Sequence, residues 1–582
     1  MDTKEMMQGI KRYGKVYLPA LFLAMALAAL GSLATLIGPD QLSQITDKIA
    51  AGLRGDMDLD GIKQIVTRLA IIYGAGALMS YAQGFIMATV SQRFTQGLRT
   101  EISRQINQLP LSYFDTHNEG DTLSRVTNDL DTFGQSLNQS LGMLISSVVL
   151  IVGAVIMMTR TNWILSVTTI VSSLLGMVVI VIILKHSQRY FTGQQEHLAQ
   201  VSDFAEEIYA GHNVVKSYNN VQTARKHFMQ LNQQLEESVA NAQFFSGIMQ
   251  PFMNFIGNFG YVAVSVIGAL LTFNGKISIG TVVAFMVYVR IFTQPLGQMT
   301  QAFSGLQTAQ AALKRVLAFL AEEKEDDRKN ATETLNEASG AITFDHVHFG
   351  YSDDHPIIKD FSLAIQPGQK VAIVGPTGAG KTTLISLLMN FYDPQSGAIR
   401  LDGKASNTLS KANIRDQFDM VLQDTWLFED TIMANLKYND EAISDEEVLK
   451  ATKAIGIDHF IRTLPKGYET VINEAVTLSV GQKQLLTIAR ALVRDKPILI
   501  LDEATSSVDT RTEEQLQKAM DVLTSGRTSL VIAHRLSTIR NADNIVVLDH
   551  GELIESGTHE ELLAKDGFYA KLYNSQFEKL TA

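Results

Sequence analysis

Cysteine is absent from the 582 residues, so no disulfide, zinc–thiolate site or thiol nucleophile is available. Basic charge is in the minority: 49 Lys and Arg against 60 Asp and Glu leave a formal net charge of −11. A phosphate backbone attracts basic surfaces, so this balance argues against a nucleic-acid partner. The first apolar run is too long for a signal h-region and no small-residue cleavage pattern stands out, so no cleavable signal is expected. Charged residues are only 19% of the chain. The long stretches without any lie before about residue 315. After it charges are dense, as in Glu322, Glu323, Glu325, Asp326 and Asp327. The chain therefore reads as a membrane half followed by a soluble half.

A helix crosses a bilayer with about 20 mostly apolar residues. Runs of that length cover Val16–Gly38, Leu69–Gln92, Thr132–Thr159, Thr161–Leu184 and Ser238–Gly275. A sixth begins near Ile277 and continues past Arg290. Basic residues near helix ends mark the cytosolic side. Lys4, Lys11, Arg12 and Lys15 precede the first helix; Arg93, Arg99, Arg104 and Arg125 lie between the second and third; Lys185, Arg189, Lys216, Arg225 and Lys226 lie between the fourth and fifth. An even number of crossings then leaves the second half in the cytosol. The two long connectors read as helical extensions, Phe94–Leu109 and Leu198–Leu235, with polar turns at Thr116–Asp121 and Gly211–Asn213. Arg290 sits in an apolar helix, followed by Pro295. A structural ion pair or snorkelling ranks first for it, a place on a substrate path second. Phe244, Phe245, Met249, Phe252, Met253 and Met286 suit a permissive apolar pocket, and equally core packing or lipid contact.

The acidic stretch 321–340 reads as a linker, giving a transmembrane domain over 1–320 and a soluble domain over 341–582. Strands are expected at Ile342–His348 and Lys370–Val374. Directly after the second comes Gly375, Pro376, Thr377, Gly378, Ala379, Gly380, Lys381, Thr382 and Thr383, a P-loop in the required order of strand, glycine loop and helix. Glycines let backbone N–H groups close around phosphates, and the helix start favours an anion. Lys381 would neutralise the terminal phosphates and Thr382 would offer its hydroxyl to Mg²⁺. A second apolar strand, Ile498–Leu501, ends in Asp502 and Glu503. Asp502 can reach the Mg²⁺ beside a P-loop, and Glu503 can polarise the attacking water. Between these elements, Leu478, Ser479, Val480, Gly481 and Gln482 precede a helical run over Lys483–Val493. A serine and a glycine at a helix start make a second anion site. One nucleotide does not need two such sites in one domain. The simplest reading is that Ser479 completes a site on another copy, so that two domains sandwich ATP.

On these motifs the chain resembles the ATP-binding cassette (ABC) exporter half-transporters over nearly its whole length. The resemblance implies a six-helix α transmembrane domain with long cytosolic helical extensions and an α/β P-loop nucleotide-binding domain. It also implies ATP and Mg²⁺ as cofactors. The P-loop corresponds to Walker A, Asp502 and Glu503 to Walker B, and Leu478–Gln482 to the signature motif. Tyr351 fits the aromatic that stacks on adenine, and Gln423 the Q-loop that senses Mg²⁺ and contacts the membrane domain. Asp509 fits the D-loop and His534 the switch histidine. The turns near 116–121 and 211–213 fit coupling helices. The departures are Val480, where the family usually has glycine, and the lead-in Asn473–Thr477. Together with an intact Glu503 they resemble one subunit of bacterial heterodimeric exporters, so the implied partner is a second half-transporter, with a homodimer as the alternative. The implied activity is ATP-driven export of amphipathic or drug-like substrates from the bacterial cytoplasmic membrane. A lipid or glycolipid flippase and an ATP-gated channel are the alternatives.

Overall fold

The computed structural model describes residues 9, 12–53, 55, 57–328, 331–352, 354–438, 440–473, 478–502, 510–532 and 539–577. Its contacts form two compact units. One comprises Met1–Asn107 and Glu119–Glu322, the other Gln108–Asn118 and Glu323–Ala582.

In the first unit, six helices among the described residues are long and apolar enough to cross a membrane. They are α1 (Leu18–Gly52), α2 (Leu59–Ile106), α4 (Leu130–Thr161), α5 (Trp163–Ala210), α7 (Val221–Phe273) and α8 (Ile279–Leu320); the short helices α3 (Leu111–Thr116) and α6 (His212–Ser217) stand between them in sequence. The apolar side chains are largely on the outside. On α5, Val167, Val171, Leu174, Leu175, Val178 and Ile182 are exposed along one face. Such a face would be unfavourable in water and suits hydrocarbon, where a helix satisfies its own backbone. Inside, Phe285, Tyr288 and Val289 of α8 pack with Ala154 and Met158 of α4, Leu165 of α5 and Val264 of α7. At the far end of α8, Arg315 Nε donates to Asp129 Oδ2 at 2.8 Å, and a second bond from its guanidinium makes the pair bidentate.

Three details differ from the sequence reading. The helical extension of α2 stops at Ile106, short of Leu109, because Pro110 has no N–H to continue it. The segment expected as a turn at Gly211–Asn213 is instead a turn followed by the helix α6, so α5 and α7 are joined by a helical cap. The turn expected at Thr116–Asp121 is likewise mostly helical: α3 runs through Thr116 and a second short helix starts at Glu119, leaving only His117 and Asn118 between them.

The second unit is built on two sheets. One has the order β2-β1-β4-β5 and is antiparallel, from β1 (Ile342–Phe349), β2 (Ile358–Ile365), β4 (Ser396–Leu401) and β5 (Lys404–Ala405). The other has the order β10-β9-β3-β8-β7-β6, from β3 (Lys370–Val374), β6 (Phe418–Val421), β7 (Ile498–Asp502), β8 (Thr528–Ile532), β9 (Asn544–Asp549) and β10 (Glu552–Gly557). Its pairings are parallel except β9 with β10. Strands buried on both faces become continuous apolar runs, as in β7 and β8. The carboxyl ends of β3, β8, β7 and β6 therefore lie side by side, the position where open parallel sheets bind ligands.

The described residues of 321–340 form no helix or strand, yet Glu325 within them is held. Glu325 accepts two hydrogen bonds from Arg415, at 2.8 and 2.6 Å, and lies 3.4 Å from Lys411. Burial pushes the Glu325 carboxyl up, but Arg415 and Lys411 outweigh burial and hold it below the ordinary carboxylate value. A lowered native pKa means that the clamp stabilises above the unfolded pKa of about 4.3 and weakens as pH falls through the native one. Glu325→Gln should therefore make the segment near 325 protease-sensitive at neutral pH, while the wild type becomes so only in acid. Equal digestion of the two proteins at pH 7 would show that the clamp does not hold the segment.

Candidate active site

The loop after β3 has the backbone that its sequence demands. Gly378 and Gly380 adopt φ of +84° and +102°, which side chains with a Cβ rarely tolerate. A Cβ on Gly375 would come within 2.2 Å of the Leu548 carbonyl oxygen, so the loop start cannot carry a side chain without moving β9. Pro376 stands at the loop's entry and Ala379 is buried beneath it, with Thr377 and Gly378 exposed above. Helix α9 (Lys381–Leu388) begins directly on Gly380. Its first turn leaves N–H groups without helical partners, aimed where a phosphate can sit.

Lys381 is nearly buried, at 9% exposure. Its Nζ donates to the carbonyl oxygens of Gly375 and Pro376 at 2.8 and 3.0 Å, so the side chain curls back over the loop. Burial pulls its ammonium below the ordinary lysine value, and the negative charge of Asp502 acts the other way. Asp502 ends β7, half-buried, and Thr382 is exposed at the start of α9. Gln423 is exposed two residues beyond β6. A hydroxyl, a carboxylate and an amide oxygen are hard donors of the kind that Mg²⁺ accepts, so this set fits that ion. Glu503, Asp509 and His534 lie outside the described residues, as do Glu474–Thr477 of the signature lead-in.

Tyr351 follows β1 and is 55% exposed. Its hydroxyl lies 3.4 Å from Thr383 Oγ1, so the ring stands beside the glycine loop. The structure adds a residue that no motif signals. Tyr392 packs edge-on to Tyr351, with centroids 5.1 Å apart, and its hydroxyl donates to Asp115 of α3. The ring that flanks the loop is thus joined through one side chain to a connector helix of the same compact unit.

Ser479 caps α10 (Val480–Arg494). Its hydroxyl accepts from the Gln482 N–H at 3.2 Å, and the Gln482 side chain accepts from the Ser479 N–H at 2.9 Å. This reciprocal box fixes the helix start. Gly481 is buried behind it, and Val480 is 55% exposed in front. Leu478, Leu485 and Leu486 anchor the helix against Leu499 and Leu501 of β7. Ser479 is exposed, and its described hydrogen bonds stay inside its own helix.

Comparison with known proteins gives this arrangement its family. Residues 21–296 match the family model of the ABC transporter transmembrane region and residues 358–506 the family model described as ABC transporter. The chain is 41% identical over 517 residues to a fatty acid ABC transporter ATP-binding/permease protein of Mycobacterium bovis, covering 89% of this chain and 82% of that one. This chain belongs to the ABC transporter family. The transporter is also 37% identical, over 99% of its length and 95% of the relative's, to an ABC transporter ATP-binding protein of Bacillus subtilis. It is 33% identical, over 99% of its length and 98% of the relative's, to an ATP-dependent lipid A-core flippase of Dechloromonas aromatica. The transporter is a multi-pass membrane protein that binds ATP and couples its hydrolysis to export.

Proposed function

We propose that the chain is one of two half-transporters that together export amphipathic substrates across the bacterial cytoplasmic membrane, and that each ATP is held between the glycine loop of one and the Ser479 helix of the other. One observation carries this reading. The glycine loop and the Ser479-capped helix are both built and both open, and the described bonds of Ser479 stay within its own helix. The working division is a membrane domain over 1–320, a linker over 321–340 and a nucleotide domain over 341–582.

In this reading Gly375–Gly380 wrap the phosphates, Lys381 neutralises them and Tyr351 stacks on the base. Thr382, Asp502 and Gln423 would hold Mg²⁺, which neutralises charge on the phosphate oxygens when bound. Thr383 secures the start of α9. Glu503 orients the attacking water, His534 serves as the switch histidine and Asp509 as the D-loop aspartate. Catalysis of this kind is mostly positioning and electrostatics. Each bound nucleotide holds two domains together; closure would pull on the connector helices and turn the cavity outward, and cleavage would release it.

The signature supports a heterodimer. Val480 places a branched side chain where a phosphate would otherwise meet bare backbone. This chain would then give Walker A and Glu503 to the competent site and its altered signature to the weak one. The names of the relatives favour lipids or fatty acids among the amphipathic substrates.

Glu503→Gln should still bind ATP and hydrolyse it at least about tenfold more slowly. Retained turnover would remove Glu503 from the chemistry. Expressed without any partner chain, the transporter should yield little ATPase; a stable homodimer with full turnover would defeat the heterodimer assignment.

A further inference from the structure

Arg290 lies eleven residues inside α8, counting from Ile279, so it stands about 16 Å along the helix. That is near the middle of a hydrocarbon core about 30 Å thick. The ion-pair reading of Arg290 does not hold among the described residues. Among the described residues no carboxylate lies within 4.0 Å of it and it makes no side-chain hydrogen bond, yet it is exposed on the unit to which it belongs. Snorkelling is no better, since the bilayer surface is equally distant in both directions. A cation at that depth is stable only where it faces protein or water.

The face on which it sits gives the second observation. At 100° per residue, Gln294, Gly297, Gln301, Ser304 and Thr308 fall within about 40° of Arg290. All of these except the half-buried Gly297 are exposed. By the same rise the hydrocarbon core ends near Met299, so Gln294 is the amide of this face inside the core, where lipid would leave it without partners, and Gln301, Ser304 and Thr308 continue the polar stripe beyond the core. On the other side of Arg290, towards Ile279, the same face turns apolar with Val283, Met286 and Val287. The opposite, buried face of α8 carries Phe285, Tyr288, Val289 and Phe292. Arg290 therefore marks the junction between a wet polar stripe and an apolar one.

We propose that Arg290 is the headgroup subsite of the transport pathway, and that it selects anionic amphiphiles, carboxylates or phosphate monoesters with a long apolar chain. The guanidinium presents a planar fork that matches both headgroups. The apolar chain then lies along Val283 and Met286, while the polar stripe keeps the approach hydrated. This assignment rests on the export reading and narrows its substrate class.

The test uses the assembled full-length transporter in nanodiscs. Equilibrium binding is measured for three probes of equal chain length: an alkyl carboxylate, an alkyl phosphate and an alkyl trimethylammonium. The wild type should bind both anions more tightly than the cation. Arg290→Gln should reduce the anion-to-cation affinity ratio about tenfold or more, and Arg290→Lys should keep most of it. A wild type that prefers the cation, a ratio unchanged in Arg290→Gln, or an equal loss for all three probes would overturn the assignment. Separation of the carboxylate from the phosphate in the same titrations identifies which headgroup is taken. ATP-driven movement confined to cationic or neutral compounds would also overturn it and leave export standing. A transporter that moves no amphiphile with ATP would remove the export reading, while the binding ratio still decides the role of Arg290.

Discussion

Where β3 turns into α9, the backbone bends through left-handed glycines and a lysine is held nearly out of water, its ammonium resting on two carbonyl oxygens. Burial already pulls that ammonium below its ordinary value. A polyanion arriving there replaces weak carbonyl contacts with charge-assisted ones. The parallel sheet serves this point: β8, β7 and β6 bring their carboxyl ends beside it, and with them Asp502 and Gln423. Yet the loop grips its ligand from one side. The complementary helix start, with Ser479 fixed by its capping box, belongs to the same chain and makes its described bonds to its own helix. In the proposed dimer, a site split this way would convert nucleotide binding into an association of domains.

The membrane unit answers to a different solvent. Its apolar side chains point outward, so they contribute little to internal packing and instead match hydrocarbon. What remains inside mixes small, aliphatic and aromatic side chains, as where Ala154 and Met158 meet Tyr288. Polar positions on such helices are informative because lipid does not tolerate them. The Arg315–Asp129 pair is satisfied and ties α8 to the start of α4. Arg290, on the same helix, has no partner among the described residues, and this contrast within one helix separates a structural charge from a candidate site.

Much of this was legible in the residues. Charge-free runs located the six spans, because a bilayer imposes a minimum apolar length on every crossing helix. The order of strand, glycine loop and helix located the turn from β3 into α9, because only glycines allow that left-handed backbone. The strand ending in Asp502 was readable for the same reason, as an apolar run buried on both faces. Other features were not legible. The stop of α2 at Ile106 depends on Pro110, which the helical pattern outweighed. The cap α6 contains Val214 and Val215 in a stretch where Gly211 and Asn213 suggested only a turn. Tyr392 reaches both Tyr351 and Asp115 through contacts far apart in sequence, which no local pattern records. Glu325 sits in a polar stretch whose composition reads as loose linker, and only the positions of Arg415 and Lys411 make it a clamp.

The shared nucleotide site is tested most directly by counting chains. Nanodiscs loaded with a single copy of the transporter, separated by size from those holding two protomers, are assayed for steady-state ATP hydrolysis. Discs with one copy should remain at background although they bind nucleotide, and turnover should appear only when the second protomer, the partner half-transporter, is present. Full-speed hydrolysis by isolated single copies would contradict the shared site.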